Sequence, residues 1–359
     1  MAFDLKDLGW DDRWAALFAP FASDGLVPAR VAIEFNHIFR LYAEAGELQA
    51  QHAGRLLHEA ESKEQLSAVG DWVAARPSAG EATATIEVVL PRRSRFSRKV
   101  AGELTEEQVV AANIDTVFIV MGLDGDYNPR RLERYLLLAY ESGATPVVIL
   151  NKSDLAEHLS EDLDEIRGLA VGIAVHAISA KARSGIDVIE GYLGPGRTGA
   201  LLGSSGVGKS TLVNALIGEE LLKTRDVRVS DSRGRHTTRH RQLIVLPAQR
   251  GLLVDTPGMR ELQLWTQNEG ARETFDDVLE LARGCHFTDC RHIDEPRCAV
   301  KRAIEEGTLA ADRLEGFLKL QEELQSLESR KNVRAQIDEK RKTKTISQSL
   351  KKLYKSRDR

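Results

Sequence analysis

Three hydrophobic patterns follow one another along the chain. From about residue 26 to 97, apolar and polar positions alternate in short runs such as Arg30-Val31-Ala32-Ile33-Glu34 and Ala84-Thr85-Ile86-Glu87-Val88-Val89, with Gly70-Asp71-Trp72-Val73 between them. Alternation with period two predicts half-buried strands, and several short ones predict a small barrel. Leu41-Tyr42-Ala43-Glu44-Ala45 and the alanine-rich run after it have helical propensity, so residues 40–67 carry a helical reading that fits uneasily with a pure barrel. The middle of the chain instead holds continuous apolar runs at Pro146–Leu150, Ile173–Ile178, Ala200–Leu202 and Leu252–Val254. Such runs are expected of parallel strands buried on both faces. Leu212, Val213, Leu216 and Ile217 follow at helical spacing, and farther on Phe317, Leu320, Leu324 and Leu327 predict a helix packed on its neighbours. The expected organisation is a multidomain chain: a β-barrel over residues 1–97, an α/β domain over 98–266, and a helical C-terminal module over 267–359.

Chemistry enters at Gly203-Ser204-Ser205-Gly206-Val207-Gly208-Lys209-Ser210-Thr211, which fits the phosphate-loop pattern G-x-x-x-x-G-K-[ST] in full. A strand precedes it and a helix follows, so backbone amides and the positive helix end can surround phosphates. Lys209 is placed to reach the β- and γ-phosphates, and the Ser210 hydroxyl to ligate Mg2+. Upstream, Asn151-Lys152-Ser153-Asp154 stands at the carboxyl end of the Pro146–Leu150 strand, where ligands of open α/β sheets sit. The Asp154 carboxylate can accept from guanine N1 and N2, a donor pair that adenine lacks, and Asn151 can pair with the acceptor edge of the base. Ser179-Ala180-Lys181, after the next apolar run, resembles the fifth GTPase motif, whose backbone contacts the guanine carbonyl.

Downstream, Asp255-Thr256-Pro257-Gly258 resembles the third motif: Asp255 is expected to hold Mg2+ through water and Gly258 to sense the γ-phosphate. Thr237 and Thr238 are both candidates for the first switch, and spacing does not choose between them. Met259 stands where many GTPases carry a glutamine, and a thioether cannot orient water; His236 is the candidate substitute. The motifs therefore run fourth, fifth, first, second, third, as in circularly permuted GTPases. Permutation keeps the sheet geometry while moving the chain ends, because domain termini lie at the surface. In this order the segment leaving Gly258 enters the C-terminal module directly.

That module holds all three cysteines. Cys285, Cys290, His292 and Cys298 form C-x4-C-x-H-x5-C, a donor set suited to one tetrahedral, structural Zn2+. The odd cysteine count disfavours disulfides, and neither a secretory leader nor a long apolar span is evident, so a cytoplasmic protein without a membrane segment is expected. The net charge of −4 conceals an uneven distribution. Residues 329–359 carry twelve Lys or Arg against three Asp or Glu, a balance of +9 that leaves −13 for the rest. Such a tail suits phosphate-rich RNA. Pro91-Arg92-Arg93-Ser94-Arg95-Phe96-Ser97-Arg98-Lys99 groups cations around an aromatic and reads either as an RNA-facing seam or as a charged linker.

Taken with Leu90–Ser94 and Ala111–Asp115, these motifs in this order resemble the bacterial ribosome small subunit-dependent GTPase A family over nearly the whole chain. The resemblance implies an OB-type RNA-binding barrel, a circularly permuted GTPase domain and a zinc module. It further implies GTP/GDP and Mg2+ as ligands, GTP hydrolysis stimulated by the 30S subunit, contacts to 16S ribosomal RNA, a late role in 30S maturation, and a monomer. Leu123-Asp124-Gly125-Asp126-Tyr127-Asn128 is more acidic than the family pattern leads one to expect. Two other readings stay open: an RNA-binding assembly factor stabilised by nucleotide with little turnover, and a P-loop ATPase.

Overall fold

The computed structural model describes residues 2–35, 37–100, 106–124, 127–218, 241–255, 275–287, 290–293, 295–311, 313–318 and 321. The chain forms two compact units, residues 1–98 with 107–263, and residues 99–106 with 264–359.

In the first unit, helix α1 (Asp12–Phe18) is capped by the Asp11 carboxylate, which accepts from the Trp14 amide at 3.2 Å. Five strands follow: β1 (Val27–Phe35), β2 (Ile38–Ala43), β3 (Gly46–His52), β4 (Trp72–Pro77) and β5 (Thr83–Val89). They run in the order β1-β2-β3-β5-β4, and β4 pairs back onto β1 to close the barrel. Only β3 and β5 pair in parallel. Val31, Phe39, Leu41, Leu48, Val73 and Ile86 fill the interior. The helical expectation for residues 40–67 is therefore corrected: helix α2 spans only Gly54–Glu59, and residues 40–52 belong to β2, β3 and the turn between them. Phe39, Leu41 and Ala43 are buried while Arg40 is exposed, so period-two burial overrides local helical preference.

Strands β6 (Arg95–Val100) and β7 (Glu106–Ala112) form a separate ribbon. The α/β part follows with β8 (Thr116–Gly122), α3 (Arg130–Ser142), β9 (Thr145–Asn151), α4 (Leu159–Leu169), β10 (Ala174–Ala177) and α5 (Ile186–Tyr192). It continues with β11 (Thr198–Leu202), α6 (Lys209–Ile217), β12 (Arg241–Val245) and β13 (Leu252–Asp255). Its strand order is β10-β9-β8-β11-β13-β12, parallel except for β12. The phosphate-loop strand β11 thus lies centrally, beside β8, which precedes it by three helices in the chain. Phe118, Val120, Ile149, Ile178, Leu212, Leu216 and Leu253 form the core beneath the site.

Barrel and α/β sheet are continuous. After Arg30 strand β1 leaves β4 and pairs with β12 at Ile33↔Gln242 and Glu34↔Arg241, where the two charged side chains form a 2.9 Å ion pair. One buried residue ties the joint together. Arg30 donates to the carbonyls of Leu8, Gly70 (3.2 Å) and Asn113 (3.1 Å) and to Thr198 Oγ1 (2.9 Å), beside the Trp72 ring. Burial lowers its pKa to about 10, so it stays protonated at neutral pH.

Three cations of the 91–99 segment pair with acidic side chains, Arg92 half-buried and Arg93 and Arg95 exposed. Arg92 pairs with Asp71 and donates to the carbonyls of Glu64 and Leu66; Arg93 pairs with Asp11 over the Trp14 ring; Arg95 pairs with Glu64; Phe96 is buried. Arg92 fastens the fold through buried Asp71, whereas Arg93 and Arg95 stay exposed.

In the second unit, α7 (Asp276–Ala282) and α8 (Ala299–Glu305) pack through buried Phe275, Val278, Val300 and Ala303. Phe317 is buried with its ring 5.6 Å from Phe275, as expected of the helix predicted there. Leu320, Leu324, Leu327 and the basic tail lie outside the described residues. Among the described residues no helix is long and apolar enough to cross a membrane.

Candidate nucleotide and metal sites

The phosphate loop leaves the buried end of β11 and enters α6 at Lys209. Two of its glycines are sterically required. A Cβ on Gly203 would lie 2.2 Å from the Val120 carbonyl oxygen, and one on Gly208 (φ 96°) would lie 2.3 Å from Asn151 Nδ2. Val207 is buried and anchors the loop to the core, whereas Ser205 and Gly206 are exposed. Lys209 Nζ donates to the carbonyls of Gly203 (2.6 Å) and Ser204 (2.5 Å), which hold the ammonium across the loop. Ser210 and Thr211 follow on the first turn of α6. Asp255 ends β13, the neighbour of β11. Burial pushes its carboxyl above the usual range, only partly offset by the Lys209 charge.

The guanine-type motif ends β9, two strands away, yet meets the phosphate loop through one side chain. Asn151 Nδ2 donates to the Val207 carbonyl at 2.8 Å, and its Oδ1 accepts from the Ala180 amide at 2.9 Å. The carboxamide therefore braces all three motif segments, with a second N–H left for a ligand. Ser179 Oγ donates to Asp154 Oδ1 at 2.5 Å and accepts from the Ala182 amide at 3.1 Å, which fixes the carboxylate. Lys152 takes a left-handed conformation (φ 65°) and pairs with Asp124. Local motif spacing carries no sign of these braces. Asp124 belongs to the acidic loop that stood out as a departure, and its carboxylate has a partner in the motif itself.

His236, Thr237, Thr238, Gly258 and Met259 lie outside the described residues. Asn151 to Asp154, Ser179, Ala180, Gly203 to Thr211 and Asp255 are described, and the contacts above link the first three groups.

In the second unit, the ligand atoms of Cys285, Cys290, His292 and Cys298 all lie within 4.8 Å of one another. Cys285 Sγ is 3.8 Å from Cys298 Sγ and 3.6 Å from His292 Nδ1, and His292 Nδ1 is 3.3 Å from Cys298 Sγ. Tetrahedral Zn2+ with bonds of about 2.1–2.3 Å separates its ligands by roughly 3.6–3.8 Å, so the donor set fits that ion. Burial acts to raise the Cys285 thiol, but amides of Ala299 and Val300 and hydrogen bonds from the neighbouring thiols outweigh it, leaving the group below its ordinary value. The Ala299 amide donates to this sulfur at 3.3 Å. Three thiolates and an imidazole would supply all four ligands of such an ion, as in a structural site.

Comparison with known proteins agrees with this geometry. A family model described as RsgA GTPase matches residues 89–265, and one described as 50S ribosome-binding GTPase matches residues 198–353. The small ribosomal subunit biogenesis GTPase RsgA of Opitutus terrae is 48% identical over 328 residues, covering 89% of each chain. The chain belongs to the RsgA GTPase family. Its relative from Syntrophotalea carbinolica is 41% identical over 351 residues, 96% of each chain. Among solved structures, YjeQ from Thermotoga maritima aligns with a TM-score of 0.61 at 26% identity, covering 83% of this chain and 98% of that one. YloQ, described as a circularly permuted GTPase, aligns at 0.58 and 21% identity, covering 85% and 96%, and shares the fold. Family membership makes the protein a GTPase with GTP/GDP and Mg2+ as its ligands, and excludes the ATPase reading.

Proposed function

We propose that the protein hydrolyses GTP as a switch on the small ribosomal subunit, binding that particle in the GTP form and leaving it after hydrolysis late in subunit biogenesis. The observation that carries this reading is Asn151, whose carboxamide joins the guanine motif, the fifth-motif segment and the phosphate loop into one pocket despite their inverted order. Curated relatives named for small-subunit biogenesis supply the partner. In this reading Asp154, held by Ser179, reads guanine; Gly206, Gly208 and Lys209 hold phosphates; and Ser210, Asp255 and a threonine at 237 or 238 share Mg2+. Mg2+ held by these residues would neutralise charge on the transferred phosphoryl group. Gly258 senses the γ-phosphate and His236 orients water. The barrel (1–97) and the zinc module (267–359) flank the GTPase domain (98–266) and contact 16S ribosomal RNA, with the protein acting as a cytoplasmic monomer.

The coupling is covalent: the chain leaving the second switch at Gly258 continues into the zinc module. A γ-phosphate-dependent change at Gly258 is therefore transmitted toward an RNA-binding end. Sedimentation of the protein with purified small subunits tests this reading. GTP-analogue-loaded protein should co-sediment and GDP-loaded protein should not, over several salt concentrations; equal retention of both forms contradicts it.

A further inference from the structure

The phosphate loop has a third anchor that the motif does not contain. Helix α3 packs on the sheet through buried Leu132, Leu136, Leu137 and Ala139 and presents Arg131 and Tyr135, one turn apart, to the loop. Arg131 Nη1 donates to Ser204 Oγ at 2.9 Å, and Tyr135 Oη lies 3.2 Å from the same oxygen. Elsewhere the loop is fixed by buried Val207, whose carbonyl is held by Asn151, and by Gly203 against β8. Between them Ser204, Ser205 and Gly206 form a limb with two exposed residues and a left-handed glycine (φ 85°). Ser204 is where that limb is gripped, on its carbonyl by Lys209 and on its hydroxyl by α3. The first grip involves the same ammonium that is assigned to the phosphates. The second does not depend on it.

We propose that Arg131 is a positioning residue for the γ-phosphate, acting through the Ser204 hydroxyl to hold the outer limb of the phosphate loop. Amides next to the start of α6 serve the phosphates that GDP and GTP share. The limb farthest from the helix is left to the terminal phosphate, which only GTP carries. Holding its backbone in advance removes a reorganisation step when negative charge develops there. The inference rests on the assignment of residues 203–211 as the phosphate loop.

The test compares GDP with a non-hydrolysable GTP analogue, measuring both dissociation constants and turnover for Arg131→Ala, Ser204→Ala and the double variant, with Lys209→Ala alongside. Loss of one charge-assisted hydrogen bond corresponds to about ten-fold. Each single variant should lower analogue affinity and kcat about ten-fold and change GDP affinity by less than about two-fold. The double variant should match Ser204→Ala, which already removes the Arg131 contact together with that to Tyr135. Arg131→Lys, which keeps a charged donor, should recover part of the loss. Equal losses for GDP and the analogue, multiplying effects in the double variant, or an unchanged Arg131→Ala overturn the proposal. If Lys209→Ala binds both nucleotides normally, the phosphate-loop assignment falls and this inference with it. If Lys209→Ala fails while Arg131→Ala is normal, only the role of Arg131 is lost.

Discussion

Asn151 donates from its carboxamide to the backbone carbonyl of Val207 at 2.8 Å, joining the end of β9 to the phosphate loop across 56 positions of sequence. The same group accepts from Ala180, so one side chain satisfies two buried backbone groups in two other motifs. Replacing Asn151 with Ala strands that carbonyl and that amide, each at about 1–3 kcal/mol. GDP and GTP affinity should both fall by roughly ten- to hundred-fold. Fluorescent-nucleotide titration measures this. A loss confined to GTP would show that Asn151 acts on the γ-phosphate instead of holding the pocket together.

The barrel and the α/β sheet share β1, and Arg30 occupies the joint. Arg30→Met removes donors from three backbone carbonyls and from Thr198 while leaving apolar volume in place. The expected cost is about 3 kcal/mol or more, read as a lower urea midpoint of the first unit. Arg30→Lys should recover little, because one ammonium cannot reproduce a fork spanning four acceptors.

His52 lies half-buried against Phe39, with its Nε2 accepting from the Ser67 amide at 3.2 Å and 3.0 Å from Ser67 Oγ. Burial, helped by nearby His37, lowers its pKa from 6.5 to about 4. Between these values the unfolded chain binds a proton that the folded barrel refuses, so stability falls as pH drops through that window. Denaturant midpoints between pH 7 and pH 4 should show the loss, and His52→Gln should flatten it. An identical pH slope in wild type and variant would place the acid sensitivity elsewhere.

The Cys285, Cys290, His292 and Cys298 cluster is a donor set for one Zn2+, whose loss should loosen the second unit. A strong chelator, or Cys298→Ser, should release one Zn2+ per chain and expose the amides of α7 and α8 to hydrogen exchange. The strands of the first unit should keep their protection. Unchanged exchange in α8 after complete zinc loss would argue that packing of Phe275 and Phe317 suffices without the ion.

Much of this was legible from residues close together in sequence. The phosphate loop, the Asn151–Asp154 strand end and the cysteine cluster are short patterns whose spacing encodes their geometry. Residues 40–52 misled because alanine and glutamate favour helix locally, whereas their partners across the barrel impose alternation. The inward pairing of Arg92 with Asp71, the β1–β12 contact and the bracing by Asn151 depend on partners 21 to 207 positions away. No local pattern marks such contacts, since they exist only after the sheet has closed.

The central claim is a GTPase governed by the small ribosomal subunit. Its most direct test is steady-state GTP turnover titrated separately with purified small subunits, large subunits and free ribosomal RNA. Turnover should be slow alone and rise strongly and saturably with small subunits, with little effect from large subunits. Turnover that is equally slow under all four conditions would contradict the account and favour an assembly factor that uses nucleotide only as a stabilising ligand.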